Sequence, residues 1–249
     1  MRNKSFKSGR FDKKYNQRHP GHRSNFMDIN DPSGFLLACY FILRGCPDNF
    51  FAMFAVMCSS FTKMNAGTSK RSKCSSMGFD AFPSVSYSNK LLERSVLLIY
   101  LVTALGGTWF LEQPSQSVLE YYPTFRKMLL DLFNVQGGDA VFDTRWWMCQ
   151  YGAPTPKRHY AYSNSDKIYL LNQGKLYVKC GQRSQTVSRK RNAEGKQCYT
   201  GTKHLRPTEC PGCCSCQVWN FGLGFSGHAG VMGFYIGPIS VPSRDRGSS

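Results

Sequence analysis

The stretch Ser95–Leu111, SVLLIYLVTALGGTWFL, most limits what this chain can become. It runs 17 residues without a charge, close to the roughly 20 apolar residues that a membrane-crossing helix needs. Two features redirect it. Glu93 and Arg94 abut its start, and Gly106-Gly107 divides it. Glycine readily takes the left-handed conformation that closes a last helical turn. The run therefore reads as the end of a helix over Ser88–Leu105, followed at once by a buried strand, Thr108–Glu112, and not as a membrane span. A helix feeding straight into a buried strand is a building unit of an α/β sheet.

The same unit recurs. Asp31-Pro32-Ser33 caps a helix closed by Gly45, and the continuously apolar Phe50–Met57 suits a strand buried on both faces. Downstream, Ser115–Phe133 reads as helical, with Pro123 able to restart it as a first residue. Ala140–Cys149 and Arg158–Tyr162 read as strands around a Gly/Pro turn, and Ser165–Leu171 as a short capped helix. The order α-β-α-β-α-β-β predicts an open, largely parallel, Rossmann-like α/β sheet over 31–178. In such sheets ligands sit beyond the carboxyl ends of the strands. Polar clusters follow three strand ends: Cys58-Ser59-Ser60, Glu112-Gln113-Pro114 and Gln150-Tyr151-Gly152.

Charge divides the rest. The formal net charge is +17, which favours anionic partners, nucleic acid before any other. Met1–Asn25 carries eight Lys/Arg against one acid, so 1–30 is expected to be a disordered basic arm. Lys179–Arg206 carries eight more against Glu194 alone, which marks 179–206 as a second basic segment. No apolar signal peptide opens the sequence. An intracellular place, nuclear or cytoplasmic, is expected, with its 11 cysteines reduced. From 207 to 249 the composition turns to Cys and Gly, and an irregular tail is expected. Cys210, Cys213, Cys214 and Cys216 are weak metal candidates, because four thiolates within seven residues cannot easily surround one ion tetrahedrally.

Three features could carry chemistry. Cys58 ends a buried strand and enters a loop of Ser59, Ser60, Lys63, Lys70 and Arg71, whose cations could activate a thiol. It could equally pack as a small hydrophobe. Glu112 stands at the tip of the second strand, where burial would raise its pKa and let it donate a proton. It could equally cap the next helix. Trp146–Asn164 sets Lys157, Arg158 and His159 beside aromatics, a composition suited to phosphate contact and base stacking. Ordinary core tryptophans in a strand–turn–strand explain it as well.

Taken together, the Cys58 loop running to Gly67, Glu112-Gln113-Pro114, and Tyr151-Gly152-Ala153-Pro154 through His159 resemble, in order, motifs of the C5-cytosine DNA methyltransferases. The resemblance implies a methyltransferase-type sheet with Cys58 as nucleophile toward a flipped cytosine and Glu112 as the acid that steadies the attacked base. It places Lys157 and His159 where that family has two arginines. Ser59, Ser60, Lys63, Lys70, Arg71, Lys157, Arg158 and His159 would then face nucleic acid. S-adenosylmethionine is the cofactor implied, yet the glycine loop that would bind it is not found, so the sheet is truncated relative to that family. The segments CSSFTKMNAGTSKRS, WFLEQPSQSVLEYYP, RWWMCQYGAPTPKRHYAYSN and YTGTKHL also resemble a large protein family abundant in dinoflagellate genomes, one with no established activity. The expected function is nucleic-acid binding on a methyltransferase-like scaffold that has lost catalysis. An active cytosine methyltransferase and a non-catalytic structural or mobile-element-derived domain remain the alternatives.

Overall fold

Asp31 starts the first helix as its cap: its carboxylate accepts from the Ser33 amide at 3.0 Å, and Pro32 occupies the first turn. The computed structural model describes residues 9–13, 25–151, 153, 156–176, 188–195, 197–200 and 232–235. In chain order these form β1 (Gly9–Phe11), α1 (Pro32–Leu43), β2 (Phe51–Phe54), α2 (Ala66–Ser69), α3 (Pro83–Ala104) and β3 (Thr108–Pro114). Next come α4 (Pro123–Gln136), β4 (Phe142–Trp147), β5 (Arg158–Ser163), the hairpin β6 (Ser188–Arg191) and β7 (Gln197–Thr200), and β8 (Met232–Tyr235). Short 3-10 turns occupy Leu119–Tyr121, Met148–Tyr151 and Asp166–Leu171.

The uncharged run folds as helix, then strand. α3 ends at Ala104, Gly106 turns the chain at φ +70°, and β3 begins at Thr108. A side chain at Gly106 would also strike Asp48, since an added Cβ would lie 1.7 Å from its Oδ1. Among the described residues no helix is long and apolar enough to cross a membrane. Pro123 opens α4, as expected, but Ser115–Val118 is a loop and not helix. Instead Ser115 N–H donates to Arg158 O, Val118 N–H to Phe61 O and the Ser117 hydroxyl to Gln113 Oε1.

The main sheet is mixed and open, in the order β1-β8-β2-β3-β5-β4. Here the expectation of a largely parallel sheet is corrected. Of its five strand pairings only β2 with β3 is parallel. The reason lies in the link between β4 and β5. The link is ten residues, 148–157, too short for a parallel crossover, and its described residues hold a 3-10 turn, so the chain turns back on itself. β5 inserts antiparallel between β3 and β4. It follows that β2, β3 and β4, each preceded by a helix, run in one direction, and β5 runs against them.

Described strands also fall within the stretches expected as arm and tail. Gly9–Phe11 pairs with β8, and β8 pairs with β2, so residues from both ends extend the sheet. Phe11 is buried against Phe41, ring centroids 5.7 Å apart. Phe11 and Ile29 are both buried, although the average composition around them reads as disordered. Cys210, Cys213, Cys214 and Cys216 lie outside the described residues.

Helices cover one face of this sheet. Ala52, Phe54, Trp109 and Leu111 point to that side and pack with residues of α1, α3 and α4 in the larger core. The opposite face carries Phe51, Phe110, Ala161 and Trp146, covered by Tyr151, Ile168 and Leu171 from the 3-10 turns. A doubly wound sheet has helices on both faces. Among the described residues the second face has this thin cover, and Glu112 emerges on it.

Candidate nucleic-acid interface at the strand ends

The three motifs meet at one end of the sheet, and backbone hydrogen bonds hold them there. β2 leads through Val56 to Cys58, whose carbonyl accepts from the amides of Phe61 at 2.9 Å and Thr62 at 3.1 Å, closing a tight turn. That turn is stitched to the loop after β3. Val118 N–H donates to Phe61 O at 2.9 Å, Lys63 N–H to Gln116 O at 3.3 Å, and Thr62 bridges Ser117. Ser115 N–H in turn reaches Arg158 O at 2.9 Å, and Met148 N–H reaches Lys157 O at 2.8 Å. Cys58, Glu112 and the Lys157–His159 segment therefore belong to one laced rim.

Gln113 is the side chain that fastens the first two motifs. It is buried, donates to Val56 O at 2.5 Å and accepts from Ser117 Oγ at 2.9 Å. An amide does both because it carries donor and acceptor together. Cys58 itself is half-buried and in no disulfide.

Glu112 does not sit alone. Its carboxylate bonds to His159 Nδ1, which lies two residues along β5 from Ala161, the register partner of Glu112. Residues two apart on a strand share a face, so the pair is diagonal on one surface. Burial pushes the Glu112 carboxyl up. The charge and hydrogen bond of His159, then the charge of Lys157, outweigh it and hold the pKa below its ordinary value. This reverses the expectation of a raised pKa and a proton-donating acid. The imidazole also lies beside Trp146, centroids 5.8 Å apart, and its Nε2 is buried without a partner.

The basic residues part into two groups. Arg71 is 4% exposed and spent inside the fold. Its guanidinium donates to the carbonyls of Ser76, Met77 and Val85, to Ser60 Oγ and to Asn89 Oδ1, and stacks 3.9 Å over Phe61. Burial lowers its pKa to about 10. Arg71 and the buried Ser60 are thus corrected from nucleic-acid contacts to ties that close the loop onto α3. Ser59, Lys63, Lys70 and Arg158 are exposed and Lys157 is half-exposed. Lys70 stands at φ +57° as the residue that closes α2. Arg158 lies 5.5 Å over the Trp147 ring.

Sequence reasoning passed over Lys73, exposed on the same loop and 5.2 Å over Tyr121, and it passed over the tying role of Gln113. The signal for Gln113 was a buried amide set between Glu112 and Pro114. Among the described residues no three His, Cys, Asp or Glu gather as a metal site.

A fit test for the implied S-adenosylmethionine turns on β2. A nucleotide-type crevice opens where neighbouring parallel strands send their connections to opposite sides. β2 has a parallel neighbour in β3 alone, and its other neighbour, β8, is antiparallel. The described strands beside β2 do not form that crevice for the cofactor. Comparison of the chain with protein-family models, curated proteins and solved structures gives no match.

Proposed function

We propose that this chain binds nucleic acid at the laced rim, on an open mixed α/β sheet descended from a scaffold of C5-cytosine methyltransferase type that no longer transfers a methyl group. The observation that carries the reading is the pairing of exposed cations with a tied frame. Lys63, Lys70 and Arg158 are exposed, while the backbone beneath the rim is tied across β2, β3 and β5. Phosphate contacts need such cations and fix a strand's position without reading its sequence. The common direction of β2, β3 and β4 supports the ancestry. The engagement of Glu112 by His159 and the antiparallel neighbour of β2 support the loss of transfer.

Fluorescence anisotropy of the full chain with labelled single-stranded DNA, single-stranded RNA and duplex tests it. Affinity is expected to fall at least tenfold between about 50 and about 200 mM salt. A Lys63→Ala/Lys70→Ala/Arg158→Ala variant is expected to bind about 30-fold more weakly, with a salt slope about two units flatter on single strands. Its thermal midpoint should be that of the unaltered protein. No binding at low salt, or binding indifferent to salt, overturns the reading. A 5-fluorocytosine oligonucleotide should form no covalent adduct at Cys58 in the presence of S-adenosylmethionine. An adduct would restore the transferase.

A further inference from the structure

A groove of about 420 Å³ lies outside all three motifs, lined by Glu120, Tyr121, Arg126, Leu129, Leu130 and Tyr162. Its size falls within the range of small-ligand sites. Its two charges differ in their commitments. The Glu120 carboxylate already accepts from Arg145 at 3.1 Å and from the Tyr162 hydroxyl at 3.3 Å. Arg126 is exposed on the first turns of α4, and among the described residues its guanidinium has no hydrogen bond or ion pair. Lys73 adds a second cation, its ammonium 5.2 Å over the Tyr121 ring. The groove thus joins an aromatic side, two leucines, a neutralised carboxylate and an uncommitted guanidinium.

It also borders the rim. The Tyr121 carbonyl accepts from Ser76 Oγ at 2.7 Å, and Ser76 belongs to the loop that carries Lys70 and Lys73. A strand held at Lys63 and Lys70 has a basic path along that loop to Tyr121.

We propose that this groove seats one nucleotide of a single strand, its base against Tyr121 and the leucines and its phosphate on Arg126. The proposal rests on the nucleic-acid reading above and adds selectivity to it. A base can enter only after leaving its stack, which costs least in a single strand. Duplex would touch the rim through phosphates alone.

The test uses the full chain and labelled oligothymidine, oligouridine and a duplex of equal length. Single strands are expected to bind at least about tenfold tighter than duplex. Arg126→Ala should weaken single-strand binding about fivefold and flatten the salt slope by about 0.7, the value of one phosphate. Tyr121→Ala should weaken it about tenfold with the slope unchanged, the scale of one base–aromatic stack. Tyr121→Phe should bind like the unaltered protein. Leu130→Glu, at a side chain 57% exposed, sets a carboxylate in the groove without disturbing the core and should also weaken binding. If Arg126→Ala and Leu130→Glu bind within twofold of the unaltered protein while the rim variant is weakened, the groove is wrong and the rim stands. If the unaltered protein binds no strand at all, both fall.

Discussion

Arg71 and Arg158 belong to segments of the same rim and have opposite fates. Arg71 is enclosed, its guanidinium shared among three carbonyls, Ser60 and Asn89. Arg158 is exposed and lies over Trp147. One positive charge was consumed in building the frame, and the other stays at the surface. A guanidinium suits the first task because its planar fork satisfies several fixed acceptors at once, whereas an ammonium is a point charge. The net charge of +17 does not distinguish the two uses.

The largest expected effect breaks this comparison on the Arg71 side. Arg71→Ala leaves several buried acceptors without donors, each costing about 1–3 kcal/mol. A loss of roughly 3 kcal/mol or more is expected in denaturant unfolding. Arg71→Lys should recover little, since one ammonium cannot span the same acceptors. The Lys63/Lys70/Arg158 variant should unfold at the same denaturant concentration as the unaltered protein. Equal stability in all three proteins would make Arg71 another surface cation and end the distinction.

Gln113 comes next, because it fastens the frame without charge. Gln113→Leu keeps the volume and removes both bonds, to Val56 O and from Ser117 Oγ. A loss of about 2 kcal/mol is expected, since the Val56 carbonyl is left unsatisfied in a buried place. Hydrogen exchange sharpens the result. The Val118 and Lys63 amides, which stitch the two loops, should exchange faster in the variant, while the amides of α4 do not. Uniform acceleration through α4 would show global loosening and not an untied rim.

Gly106-Gly107 marked the passage from α3 to β3 because its effect is local: a positive φ and a close approach to Asp48. Asp31 and Pro123 marked helix starts for the same kind of reason. The rim was legible too, since strands that follow helices end on one side. The place of β5 was not. Which neighbour a strand takes depends on residues far along the chain, and nothing in RHYAYS says that it lies between β3 and β4. The fate of Arg71 was hidden likewise. Its acceptors at Val85 and Asn89 lie 14 and 18 residues away on another element. The sign of the Glu112 shift was missed because burial was weighed without its partner 47 residues later.

That sign supplies the smallest and most specific test. Partial burial of Glu112 raises its pKa, yet His159 and Lys157 carry it below the ordinary 4.5. The unfolded chain therefore takes up this proton at a higher pH than the folded one. Above about pH 4.5 the carboxylate is ionised in both states, and its stabilising contribution is complete. As the pH falls below that value the unfolded state is protonated first, and the contribution is lost until the folded carboxyl titrates as well. Asp31, held down by Ser33, and Asp131, held down by Lys127, act in the same direction. Both remain in Glu112→Gln, so the difference between the two proteins isolates Glu112. Denaturant unfolding from about pH 6 to about pH 3 should show a steeper acid decline in the unaltered protein than in the variant. Parallel curves would mean that the Glu112–His159 bond lends the fold nothing. The carboxylate would then be held no more firmly than the cations around it, and its proposed retirement from acid chemistry would lose its physical basis.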